Sequence, residues 1–269
     1  MKKYISNTNL AAKSILTGFT VICFSLISHL VPAQNYSFTK PLRLSKNVNS
    51  IAEESMPILN ATSDTLFFVR SLFQGNNGGK AAGQDIWMSV RNSNGDWNYA
   101  VNNFPSLNNY RNNAVIGIDT SGTELYLLDA YTPASTRING VAKTRLRNKV
   151  FTEPVSIKLK GLEAQNSFVG FNMKSTEDVL LVSMKSSNSL GEEDLYVCIK
   201  DEFGEWSTPI NLGPTINTKG FEISPFLSHD GKVLFFASNG HDGYGDADIF
   251  MSRRLYNNSW VLRSKPVNL

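Results

Sequence analysis

The sequence predicts an all-β protein: a β-propeller of four-stranded antiparallel blades, with four repeats of about 54 residues forming a closed four-blade ring or an incomplete propeller. Three observations carry that prediction. First, an acid opens a short apolar strand and a tryptophan follows twelve residues later, three times over: Asp85-Ile86-Trp87 with Trp97, Asp194-Leu195-Tyr196 with Trp206, and Asp248-Ile249-Phe250 with Trp260. Second, the same offset runs from Asn139 to Phe151, a worn copy without the acid and the tryptophan. Third, an apolar strand precedes each copy: Leu66-Phe67-Phe68, Leu125-Tyr126-Leu127, Leu180-Leu181-Val182 and Leu234-Phe235-Phe236. Its leucine stands 14 residues before the acid position in the last three copies and 19 in the first, which places a five-residue insertion within Gln74–Ala82.

Taken in order, residues 1–33 read as a signal peptide: Lys2, Lys3 and Lys13, an apolar run from Ile15 to Leu30, then Val31-Pro32-Ala33 as a cleavage site before Gln34. The run is short and interrupted by Ser and Thr, so no integral membrane span is expected after cleavage. Ile22 stands before Cys23, where lipid attachment requires a small residue. Residues 34–269 are expected to form the repeat domain, with units at approximately 50–109, 110–165, 166–217 and 218–269. An extra outer strand is expected at 38–49, because Pro41 to Asn49 aligns without gaps on Pro209 to Asn217. Within each unit an inner strand such as Pro225-Phe226-Leu227 leads through a turn such as His229-Asp230-Gly231, a strong hairpin signal, into the leucine-led strand. A glycine-rich loop, the acid-led strand, a short turn (Asn94-Gly95, Phe203-Gly204, Asn257-Asn258) and the tryptophan-led outer strand follow. A lone blade cannot bury both faces, so the units must stack and share one core.

The run Ser224-Pro225-Phe226-Leu227-Ser228-His229-Asp230-Gly231-Lys232, followed by Val233 to Ser238 and Asp248-Ile249-Phe250, resembles the WD-like β-propeller repeats of the TolB type. The likeness spans nearly all of residues 38–269, weakly in the second unit. The Gly-x-x-Asp-Leu-Tyr and Trp-Ser-x-Pro-x-Asn-Leu wording looks like cell-envelope proteins of Bacteroidota, where such repeats often precede an OmpA-type domain. The resemblance implies a periplasmic or outer-membrane-associated location, or secretion, and binding of a protein or glycan.

Charge excludes one large class of partner. The formal net charge of +3 rests on 26 basic and 23 acidic residues, and the leader's three lysines account for the whole excess. A neutral mature chain offers no field for nucleic acid. Once Cys23 leaves, Cys198 stands alone in the register of Ser89 and Ser252, a small strand residue rather than a nucleophile.

Candidate binding residues come from the repeat itself. Six residues past each acid position stands a cation, Arg91, Arg145, Lys200 and Arg254, a fourfold set that would receive an anionic glycan or a carboxylate-rich protein, or that closes each blade locally. Lys143, Arg145, Arg147 and Lys149 alternate and so share one strand face, as an anion patch or as edge protection. Asp85, Asp194 and Asp248 lie on different blades, too far apart for paired acid–base work, and are expected to hold the glycine-rich loops. Asp242, Asp246 and Asp248 among glycines suggest a calcium loop or a tight turn. No zinc spacing, no phosphate-cradling loop and no triad in sequence appears, so neither a cofactor nor a metal is expected. A non-enzymatic binding or scaffold propeller follows. A glycan-active hydrolase or lyase is the alternative, with Asp129, Tyr131 and Arg137 as the cluster that would serve it.

Overall fold

The structure, a computed structural model, describes residues 38–81, 83–132, 139–162 and 169–269; the signal peptide reading of residues 1–33 and Arg137 lie outside them. The described residues contain strands and turns and no helix. The chain divides into Met1–Leu42 and Arg43–Leu269, and the second unit is a four-blade β-propeller arrangement.

Each blade forms where the sequence changes from turn residues to apolar alternation. The first sheet is β1 (Glu53–Leu59), β2 (Thr65–Ser71) and β3 (Gln84–Val90), with its outer segment joined by single bridges from Met88 to Val101 and from Arg91 to Trp97. The second is β4 (Val115–Ile118), β5 (Glu124–Leu128) and β6 (Val141–Arg147), whose outer edge is shared by β7 (Val150–Phe151) and β8 (Val155–Ile157). The third runs β9 (Gly170–Met173), β10 (Val179–Met184), β11 (Asp194–Ile199), β12 (Ile210–Asn211), and the fourth β13 (Glu222–Leu227), β14 (Val233–Ser238), β15 (Asp248–Arg253), β16 (Val267–Asn268). Every pairing is antiparallel. The leucine of each repeat sits opposite the last residue of its inner strand, in the pairs Leu59 with Leu66, Ile118 with Leu125, Met173 with Leu180 and Leu227 with Leu234. These four pairs fix the repeat register in three dimensions.

Inner strands can carry proline because one edge of each is unpaired. Met56 and Ser224 precede Pro57 and Pro225, sit at bulges in β1 and β13, and have φ of 49° and 52°. Between blades the core is continuous. Leu181, Leu195 and Val197 of the third sheet pack on Leu227, Leu234, Phe236 and Phe250 of the fourth, and Leu212 and Ile216 of the connecting strap close the cluster. Ile116, Tyr126 and Val141 meet Phe171, Leu180, Val182 and Tyr196 in the same way between the second and third.

The expected outer strand at 38–49 is corrected in part. Residues 38–44 belong to no strand, because β16 already occupies the outer edge of β15. The strap that follows does repeat: the amides of Val48 and Asn49 donate to the Ser45 carbonyl, just as those of Ile216 and Asn217 donate to Gly213 and those of Leu107 and Asn108 to Phe104.

Candidate binding site at the propeller axis

The four inner strands end around a cavity of about 770 Å³. Its wall carries the register-matched residues Leu59, Ile118, Met173 and Leu227. Two residues further on in each blade, in the turn to the second strand, its rim carries Ala61, Thr120, Ser175 and His229. The same backbone position therefore presents a methyl group, two hydroxyls and an imidazole. Asn172 braces this end of the axis: its Oδ1 accepts the Leu227 amide at 3.1 Å, and its Nδ2 donates to the Ile116 carbonyl at 3.5 Å, so one side chain joins β4, β9 and β13. Gly117 allows β4 to approach β9, since a Cβ there would lie 2.6 Å from the Met173 carbonyl oxygen and from its Cβ.

Ser175 Oγ and His229 Nδ1 stand 2.7 Å apart, joining the third and fourth blades across 54 residues of sequence. Neither residue resembles the other, so sequence reasoning missed the pair; their equal position in the repeat was the signal that could have found it. Lys174 Nζ lies 3.2 Å from Asp178 Oδ1 and donates to Thr176, which leaves it fixed beside the rim.

At the opposite end of the sheets the repeat aspartates hold loops, with Asp85 and Asp194 fully buried and Asp248 partly so. Asp85 Oδ2 accepts the Asn77 amide at 2.6 Å and Asn102 Nδ2 at 3.1 Å. Asp194 Oδ2 accepts the Leu190 amide at 2.9 Å and Asn211 Nδ2 at 2.8 Å, and Asp248 Oδ2 accepts the Tyr244 amide. Burial pushes the Asp85 carboxyl above the usual carboxylate range, against the opposing pull of its two hydrogen bonds. Among the described residues no three acidic, histidine or cysteine side chains converge as metal ligands, Asp242, Asp246 and Asp248 included. Asp129 takes Arg111 Nη1 at 3.0 Å, while Tyr131 Oη donates to the Leu107 carbonyl at 2.5 Å and accepts from Asn113. Both residues have positive φ, 84° and 51°, and both are engaged in holding their loop. Burial pushes the Cys198 thiol up to about 12, so it stays protonated. His241 is also structural, with Nε2 2.8 Å from the Ile216 carbonyl oxygen and its ring against Phe236 and Phe250.

The fourfold cations divide by what their blade offers. Arg91, Lys200 and Arg254 lie over the indoles of Trp97, Trp206 and Trp260, at 4.5, 5.6 and 3.6 Å from the ring centroids. A cation so placed is drawn to the ring face with roughly 0.5–1 kcal/mol. The worn blade has no tryptophan, and Arg145 turns instead to Glu124, Nη2 to Oε2 at 2.8 Å, joined by Lys143 at 3.1 Å. Burial opposes ionisation of Glu124, but hydrogen bonds from Lys143, Arg145 and Tyr126 outweigh it and hold its carboxyl below the usual range. Arg147 is exposed at the end of β6, beside the two-residue turn Asn148-Lys149, whose φ values of 50° and 67° suit a type I′ hairpin. The structure thus does not gather the six cations at one point: Arg91 reaches the cavity wall, and Lys143, Arg145 and Arg147 share the edge of the second blade.

No protein-family model and no curated protein sequence matches this chain. Solved structures do. TolB of Acinetobacter baumannii aligns with a TM-score of 0.46 at 10% identity, over 77% of this chain and 42% of that one. A puromycin hydrolase aligns at 0.41 and 9%, over 73% of this chain and 26% of that one. The periplasmic gluconolactonase PpgL of Pseudomonas aeruginosa aligns at 0.39 and 12%, over 73% and 67%. This chain thus spans less than half the length of the first two. Among the described residues no helix is long and apolar enough to cross a membrane.

Proposed function

We propose that this chain is a non-enzymatic binding propeller of the bacterial cell envelope, exported by its leader, which takes a protein or an anionic glycan at the turn end of its axis. One observation carries the reading: Ala61, Thr120, Ser175 and His229 occupy the same position in the turns after the four inner strands, three of which Asn172 braces, and they differ in chemistry. A rigid frame with variable groups at one rim is what selective recognition requires. Arg91 at the wall, the exposed Lys143, Arg145 and Arg147, and the outer faces of Lys200 and Arg254 would meet acidic groups of the partner.

The test is to plug the rim without touching the core. Ala61→Trp and Thr120→Trp alter exposed turn positions. Each is expected to weaken retention of an envelope protein, or of a carboxylated polysaccharide, by at least about tenfold, or 1.4 kcal/mol, with melting unchanged. Asn94→Trp, on an outer turn, should leave retention intact. Equal retention by all three variants would discard the axial site.

A second reading, a glycan-active hydrolase or lyase, draws on the 2.7 Å approach of Ser175 Oγ to His229 Nδ1, the spacing of a nucleophile and its base. Among the described residues His229 has no carboxylate hydrogen-bonded to it to orient the ring. Turnover of a glycan panel that Ser175→Ala abolishes while binding persists would favour this reading over the first.

A further inference from the structure

The outer hairpin of the fourth blade contains a pair of arginines that its neighbours lack. The outer turn of the fourth blade is three residues longer than those of the first and third, so the place opposite the repeat cation, held there by Trp97 and Trp206, is taken here by Arg263. Arg263 is only 4% exposed, and both of its terminal nitrogens are buried with no hydrogen-bond partner. It also sits directly across the strand pair from Arg254. Like charges placed opposite one another destabilise a sheet, and a buried guanidinium without an acceptor costs several kcal/mol. An arrangement with both penalties is stable once an anion fills it.

The two guanidinium groups are also held in place in advance. Arg254 donates from Nε to the Ser259 carbonyl at 2.8 Å and from Nη2 to the Asn257 carbonyl, with its plane over Trp260. Arg263 donates from Nε to the Trp260 carbonyl at 3.1 Å, which fixes the side chain and leaves its Nη1 and Nη2 unused. A guanidinium with two free terminal donors matches the two oxygens of a carboxylate or a phosphoryl group. Burial, and then the charge of Arg254, lower the Arg263 pKa to about 10, which still leaves it cationic at neutral pH.

We infer that Arg263 and Arg254 form an oxyanion-binding site in the outer hairpin of the fourth blade, taking a carboxylate or phosphoryl group on the free edge of the Arg263 guanidinium. Both nitrogens are closed to solvent, so an anion would enter by local opening of the hairpin, whose strands are joined by a single bridge and whose Leu255, Tyr256 and Leu262 are exposed. This site shares Arg254 with the proposed function but rests on Arg263, away from the axial rim, so it stands or falls independently of the axial site.

The test follows melting of the purified protein in phosphate and in acetate, against chloride at matched ionic strength. Wild-type protein should melt about 3 °C higher in at least one of the two anions at saturation. Arg263→Met should lose that response and melt above the wild type in chloride, because the buried charge is gone. A response to phosphate alone assigns a phosphoryl ligand, and a response to acetate as well assigns a carboxylate. Arg254→Met should keep the response at reduced affinity. Absence of any anion-dependent shift in the wild type, or an undiminished shift in Arg263→Met, overturns the site.

Discussion

Phe236→Ala is expected to lower the free energy of unfolding by about 4 kcal/mol, read from urea or guanidinium denaturation. Phe236 is wholly buried between the third and fourth blades, stacks on Phe250 at 6.0 Å between centroids, and meets the edge of His241. Removing it opens a cavity among Leu181, Leu234 and Phe250 that side chains fixed on two sheets cannot collapse to fill. In a stack of repeats, cohesion passes through each interface in turn, so the effect has a location as well as a size. Amides of β13 to β15 should lose hydrogen-exchange protection before those of β9 to β11. Uniform loss across all four sheets would show that the blades do not behave as separate cooperative units.

Asp194→Ala is expected to cost about 3 kcal/mol, although no charged partner faces it. The carboxylate is fully buried and accepts hydrogen bonds from the Leu190 amide and the Asn211 side chain. Truncation takes the acceptor from the Leu190 amide and one of two acceptors from Asn211 Nδ2, and empties a fully buried site; a lost hydrogen bond to a charged group is worth roughly 1.5–3 kcal/mol. Asp85 occupies the same place in the first blade and adds a pH signature. Its folded pKa is raised by burial, so between the ordinary carboxylate pKa and that raised value the folded protein binds more protons than the unfolded chain. Its contribution to stability is therefore present at low pH and lost as pH rises through that window. Asp85→Asn removes that segment of the profile. The difference in stability between wild type and Asp85→Asn should accordingly shift against the wild type as pH rises from acid to neutral.

The fold was legible because the repeat wrote it four times. The offset from acid to tryptophan fixes the hairpin length in the first and third blades, where Arg91 faces Trp97 and Lys200 faces Trp206; in the fourth the offset is the same, yet Arg254 faces Arg263 across a turn three residues longer. The cations were therefore visible in the sequence, while their seat on the indoles was not, because six residues of separation become a contact only after the turn between them is placed. The strap at 45–49 was legible through its match to 213–217, which extends to both backbone hydrogen bonds of the turn. The strand expected before it was not formed, since an edge admits one neighbour and β16 holds it.

The candidate site was the least legible part for a physical reason. Ala61, Thr120, Ser175 and His229 share a position but, beyond the two hydroxyls, no chemistry, and a motif is recognised by shared chemistry. Arg263 was hidden because three extra residues in the outer turn move it into the place that Trp97 and Trp206 hold in the first and third blades, while Trp260 keeps the sequence spacing. Departures from a repeat can be read only once the frame that repeats has been placed in space.

The most direct test of the axial site is a photo-cross-link. A benzoylphenylalanine at Thr120, on the rim, and another at Asn94, on an outer turn, would be compared in envelope extract and with a carboxylated polysaccharide. The axial account predicts a specific adduct from position 120 that unlabelled wild-type protein suppresses by competition, and none from position 94. Adducts from position 94 alone, or equal adducts from both, would contradict it.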